Sequence, residues 1–237
     1  MKKATKKQGY SAESIRKCVK LLTAAVALYM AMGAENIKLC ISKGNSKIGK
    51  AMNVSLPPIL SCGNCKECQH FCYDIRACLQ YSNTVVQARA RNFALLQLDR
   101  DKYFSEIDRA CSRRKINKMF RWHVSGDIMD GDYFARMIDI ARKHPDFTFW
   151  TYTKMYSIVN DYCDECGRDS IPGNLSIMFS EWRGMPMNNP YHFGEFRALY
   201  DGETIPDGMH YCPGNCDVCK AAGRGCIVNE STCIYIH

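Results

Sequence analysis

No apolar run in this chain reaches the roughly twenty residues needed to span a bilayer. The best candidate, Leu21–Met32, stops well short, so no membrane span is expected. The stretch before it is too long for a signal-peptide leader and holds Glu13, although Ala31 and Gly33 are small enough for a cleavage site. Acidic residues are nearly missing from the first fifty positions, which carry two Asp/Glu against eleven Lys/Arg. The rest of the chain carries 22 acidic and 21 basic side chains, so the net charge of +8 is an N-terminal property. A body this close to neutral argues against nucleic-acid binding through the body of the protein. Residues 1–10, with Lys2, Lys3, Lys6 and Lys7, read as a disordered basic arm, with phosphate contact as the alternative.

An even, regularly spread set of cysteines is missing as well. Fifteen cysteines, an odd number grouped at short spacings in 237 residues, do not make the disulfide framework of a secreted protein. They fit a reducing cytoplasm in which thiolates bind metal. Gly44-NSKI-Gly49-Lys50 imitates a phosphate-binding loop, but Ala51 stands where Ser or Thr must hold magnesium. Pro57 and Pro58 also deny it the helix that should follow. What survives is a loop bordering a site, offering Lys43, Lys47 and Lys50 to an anion.

What is present is two cysteine groups. Cys62, Cys65, Cys68 and Cys72 follow C-x2-C-x2-C-x3-C, the spacing that holds clusters in bacterial ferredoxins, with Tyr73 in place of the usual proline. Zinc also takes four thiolates, but the spacing favours iron–sulfur, a [4Fe-4S] cluster. Cys212, Cys216, Cys219 and Cys226 follow C-x3-C-x2-C-x6-C, with Gly214, Gly223 and Gly225 permitting the tight turns of a metal knuckle. Zinc and a second iron–sulfur cluster are equal candidates there. Cys233 and His237 stand near enough in sequence to enter as ligands. Cys163 and Cys166 read as two free thiols on a helix, and Cys18, Cys40, Cys78 and Cys111 as small buried hydrophobes.

The periodicity predicts an α/β protein. Helices are expected at 11–33 (ended by Gly33), 83–98, 102–111, 132–143 and 156–163. Strands are expected at 38–42, 120–125, 147–153, 175–180, 196–200 and 232–236. About six strands alternating with helices imply a partial or open parallel β/α barrel, with an N-terminal helix and a C-terminal cysteine knuckle. The α/β core is expected over 11–205, with a cysteine loop at 62–78. Residues 206–237 then hold the knuckle and the last strand. In such folds, sites lie at the carboxyl ends of the strands. Those ends carry Ser125-Gly126-Asp127, Tyr152-Thr153-Lys154 and Ser180-Glu181-Trp182. Strand alternation places Arg121, His123 and Ser125 on one face and Trp122 and Val124 on the other. Asp127, Lys154, Glu181 and His123 are the candidate catalytic residues, and Ser125, Gly126, Asp127 and Tyr152 the candidate cofactor-binding ones.

The segments KLCISKGNSKIGK, NVSLPPILSC, CYDIRAC, FRWHVSGDI, FTFWTYTK, NLSIMFSEW, YCPGNC and IYIH resemble the "gene product 88" domain family of phages and mobile elements. The resemblance runs from about Lys38 to His237 and implies a fold and a cysteine site, not a reaction. A more distant resemblance is to radical S-adenosylmethionine (SAM) enzymes, in the order strand, cysteine loop, helix, and a strand ending in Ser125-Gly126-Asp127. It implies SAM as a cofactor beside the cluster. Only Cys212–Cys219 carries the C-x3-C-x2-C spacing of those enzymes, after most of the strands.

Three readings follow. The first is an iron–sulfur enzyme acting on a small molecule or macromolecule of unknown identity, radical-SAM-like or redox. The second is a zinc-knuckle nucleic-acid-binding protein using the arm and Arg113-Arg114-Lys115. The third is an electron-transfer or redox-sensing module.

Overall fold

The computed structural model describes residues 9–236. The arm Lys2–Lys7 and His237 therefore lie outside the described residues. Seven strands form one parallel, open sheet: β1 (Met52–Val54), β2 (Met119–Trp122), β3 (Thr148–Thr153), β4 (Leu175–Glu181), β5 (Gly194–Leu199), β6 (His210–Tyr211) and β7 (Thr232–Tyr235). Their order is β1-β2-β3-β4-β5-β7-β6, so β1 and β6 are edges and no barrel closes. The stretch from 206 onward is built into this sheet, because β7 pairs with both β5 and β6.

The central strands are aromatic and β-branched, as in Thr148–Thr153 (TFWTYT), and buried on both faces, as parallel strands must be. One face takes Phe120, Trp122, Phe149, Ile177 and Phe179 into the main core. Helices α4 (Arg100–Arg113), α5 (Gly131–Lys143) and α6 (Tyr156–Cys166) cover it with Tyr103, Phe104, Phe134 and Val159. The other face carries Met119, Trp150 and Tyr152, and the knuckle packs on it through Cys216, Cys219 and Ile227.

Helix α1 (Ala12–Met32) begins at Ser11, whose side chain accepts from the Ser14 amide, and ends at Gly33, where φ is +79°. Only a glycine adopts that angle cheaply. Its buried stripe, Cys18, Leu22 and Ala25, does not reach the main core. It packs on α2 (Tyr73–Gln80) and α3 (Gln87–Leu98) through Ile75, Cys78, Val86 and Ala90. None of the helices among the described residues is long and apolar enough to cross a membrane.

Three local expectations are corrected. Lys38–Ser42 is not a strand; only Ser42 pairs, antiparallel, with Asn53. Side chains take its backbone groups instead. Leu39 N donates to Glu106 Oε2 at 2.8 Å, and Asn92 brackets Cys40 N and O at 2.7 and 2.9 Å. The edge strand is Met52–Val54, at the start of the stretch in which Pro57 and Pro58 had excluded a helix. The cysteine loop is shorter than 62–78, since its second half folds into α2, which a π-turn at Ser82–Val86 joins to α3.

Candidate functional site

From β1 the chain crosses the carboxyl end of β2. Leu56 N donates to Ser125 O at 2.9 Å, and Asp127 N to Ser61 O at 3.1 Å. Gly126 permits this crossing: its φ is +90°, and a Cβ would stand 2.7 Å from Leu56 Cβ and Ser61 Oγ. Cys62 is thereby delivered to the strand ends beside Asp127 and Lys154, both of which act on its thiol. The far end of the cysteine loop reaches over β4 and β5. Phe71 stacks on Trp182 at 6.3 Å and meets Tyr200 edge-on at 5.9 Å.

Cys65 lies 3.8 Å (Sγ to Sγ) from Cys68, close enough to share a proton, and acts on the Cys62 thiol as well. That sharing draws the Cys68 thiol down to about 7 and lowers Cys62, while Cys65 is raised. Burial opposes the drop at Cys68 and the Lys154 ammonium assists it. Cys72, buried and next to Asp74, is pushed up to about 12. Among the described residues no three Cys, His, Asp or Glu side chains are already disposed around one point as metal ligands. Cys65 and Cys68 are in contact, with Cys62 and the Lys154 ammonium acting on them, and sulfur donors of this kind have the chemistry that suits a thiophilic metal.

Asp127 is 3% exposed. Its carboxylate accepts from Thr153 Oγ1 at 2.6 Å, Ile128 N at 2.8 Å and Lys154 N at 2.9 Å. Burial pushes this carboxyl upward, and Lys154 and the three hydrogen bonds oppose it. Asp127 thus ties the end of β2 to the end of β3 and sets where Lys154 leaves the sheet. Burial works against the charge on Lys154, but Cys68, Asp127 and Cys62 outweigh it and raise the ammonium above its ordinary value. Glu181 is held by Arg197 at 2.6 and 2.7 Å. It lines an open groove of about 660 Å³ with Trp182, Arg183 and Tyr200.

His123 and Arg121 do not share a face. β2 ends at Trp122, and His123 has a left-handed φ of +55°, which breaks the alternation. Its Nε2 pairs with Tyr133 Oη at 2.9 Å on the helix side. Burial, then Arg121, lower its pKa to about 3. The ring is neutral in the fold, while in the unfolded chain it protonates below about 6.5. The unfolded state therefore takes up a proton that the fold refuses. Stability from this residue is full above pH 6.5 and falls by about 1.4 kcal/mol per unit as the pH drops toward 3. His123→Asn, which tolerates the same backbone, should flatten this dependence in urea melts between pH 6.5 and 5; an unchanged slope would refute it. Ser125 Oγ is buried without a partner, near the loop. Tyr152 stands apart from Ser125, Gly126 and Asp127, on the knuckle face with Arg121 4.7 Å above its ring.

In the knuckle, α7 (Cys216–Ala222) starts at Asn215, whose side chain accepts from Asp217 N. The lysine loop docks here: Cys216 N donates to Lys47 O at 2.9 Å, and a Cβ on Gly49 would lie 2.2 Å from Asp217. The loop backbone therefore borders the second cysteine group, while the Lys47 ammonium lies 5.9 Å above the ring of Tyr73, next to Cys72 of the first. Burial pushes Cys216 up to about 12 and Cys226 up to about 11. The sequence reading missed His210. Its Nε2 is 3.9 Å from Cys219 Sγ, and Gly225 packs against both: a Cβ there would stand 3.3 Å from the His210 ring and 3.4 Å from Cys219 Sγ. A histidine two residues before Cys212 was the available signal.

Fold and site together define an open parallel α/β protein that carries one cysteine loop at its strand ends and a second cysteine knuckle on one sheet face. The chain belongs to the Gene product 88 family, whose sequence model matches residues 30–193. That stretch takes in the first cysteine loop and β1–β4, and ends before the knuckle. The chain is 30% identical over 124 residues to the "Gene 88 protein" of Mycobacterium phage L5, over 47% of this chain and 51% of that protein. It thus spans about half the length of the curated relative it matches. No solved structure matches.

Proposed function

We propose that this protein is a cytoplasmic metal–thiolate protein and, at its strand ends, an iron–sulfur enzyme of radical-SAM-like or redox type. Cys62, Cys65, Cys68 and Cys72 would hold the [4Fe-4S] cluster, and Cys212, Cys216, Cys219 and Cys226 a second centre of zinc or iron. The observation that supports this reading is the Cys65–Cys68 thiol contact, with Cys62 nearby, beside the Lys154 ammonium at the carboxyl ends of a parallel sheet. Bound there, a cluster supplies one-electron chemistry. The chain's own residues do the rest. Lys154 offsets thiolate charge, Asp127 fixes the backbone of Lys154, and Gly126 lets the loop close on the sheet. Ser125 offers a hydroxyl free to bind SAM or substrate, and the groove lined by Glu181 and Trp182 is large enough for a small molecule.

A second reading is nucleic-acid binding by zinc knuckles. One contact favours it: Arg114 Nη2 donates to Lys50 O at 3.0 Å, gathering Lys50 and the Arg113–Lys115 run at one edge. Anaerobic purification decides between the two. The iron–sulfur reading expects broad absorption in the blue, bleached by dithionite, with about four irons and matching sulfide per chain. Zinc alone in a colourless, folded protein would overturn it. Salt-sensitive binding of DNA or RNA by that zinc form would establish the second reading.

A further inference from the structure

Arg121 sits on the knuckle face of β2 with its Nε buried and without a hydrogen-bond acceptor. Arg89 and Arg197, also partly buried, each have a carboxylate. Arg89 is held by Asp74 at 3.0 Å, and Arg197 by Glu181 at 2.6 Å. The groups with the greatest hold on Arg121 are instead Tyr152, Tyr73, Cys216 and Cys226. Both tyrosines are neutral; Tyr152 offers its ring face, and Tyr73 donates its hydroxyl to Val124 O. A guanidinium with an enclosed N–H that has no acceptor, and with no carboxylate beside it, is unfavourable, so an acceptor of negative charge is missing from this inventory. Metal-bound cysteine is thiolate, and four thiolates around a divalent ion or a four-iron cluster leave net negative charge. Replacing one of them by His210 still leaves an anion.

We propose that Arg121 is the charge partner of a metal–thiolate centre in the C-terminal knuckle, a positioning residue that offsets the negative charge of its sulfur ligands. This rests on the reading of the knuckle as a metal site. It explains why an arginine is built into a strand otherwise made of Met, Phe and Trp, on the face that the knuckle packs against through Cys216. Outer contacts of this kind typically change metal affinity by about 10- to 100-fold.

The test uses the full chain and zinc, titrated against a chromophoric chelator, in wild type, R121M, R121K and C216S. C216S should lose one zinc equivalent. R121M should bind that equivalent about 10- to 100-fold more weakly, and R121K nearly as tightly as wild type. After chelation the order reverses, because the unpaired charge is gone: R121M should melt no lower than wild type. A side chain with only a structural role would not produce that reversal. If C216S loses zinc while R121M binds it like wild type, the charge-partner role is wrong and the metal site stands. If R121M melts lower after chelation, or does not fold, Arg121 is structural and the proposal falls. If C216S keeps all its zinc, the knuckle is not a metal site and both readings fall.

Discussion

Asp127→Ala should destabilise this protein by about 3–5 kcal/mol, seen as a lower urea midpoint at neutral pH. The carboxylate is enclosed and accepts three hydrogen bonds, two of them from the backbone amides of Ile128 and Lys154. Alanine supplies no acceptor, and each buried amide left unpaired carries a desolvation penalty of about 1–3 kcal/mol. Lys154 loses its nearest fixed anion at the same time. Asp127→Asn retains one acceptor oxygen but turns an NH2 group toward a donor, so it should fall between alanine and wild type. The sequence had suggested a cofactor-contacting role for this carboxylate. With three hydrogen bonds made at the ends of β2 and β3, the carboxylate carries a structural load whatever its part in activity. A variant with the wild-type midpoint would refute this account.

Cys65→Ser should abolish the iron–sulfur absorption and the iron content assigned to the first loop, with the protein still folded. Cys65 Sγ is 3.8 Å from Cys68 Sγ and also acts on the Cys62 thiol, so removing it splits the donor group. Serine is close in size but is a hard, weakly acidic oxygen donor, poorly matched to a thiophilic cluster. Cys166→Ser is the control, because Cys166 is exposed at the end of α6 and remote from both groups. Iron retained at wild-type level in Cys65→Ser would remove the first loop from the proposal. Loss of iron from Cys166→Ser as well would show that the signal reports protein handling, not ligation.

The chain announces its cysteine groups because metal-type spacing is a local property, written within eleven residues for the first group and fifteen for the second. It also determines the parallel α/β class. Strands such as Phe147–Thr153 and Leu175–Ser180 are continuous apolar runs between amphipathic helices, and the structure places them within a residue or two. Lys154 and Asp127 were legible as strand-end residues for the same reason. Tertiary structure decided what depends on partners distant in sequence. Lys38–Ser42 has strand composition, but Glu106 and Asn92 capture its backbone, and the edge strand moves to Met52–Val54. Alternation predicted one polar face on β2, yet the left-handed turn at His123 sends the imidazole to the helix side and leaves Arg121 on the other. Tyr152 parted from Asp127 because the two occupy opposite faces once the knuckle has folded back onto the sheet. His210 joined Cys219, and Arg121 met Cys216 and Cys226, only through pairing of β7 with both β5 and β6. Spacing along a chain fixes which donors can share a metal. Which charges face that metal is fixed by the sheet, because only packing brings residues a hundred positions apart into contact.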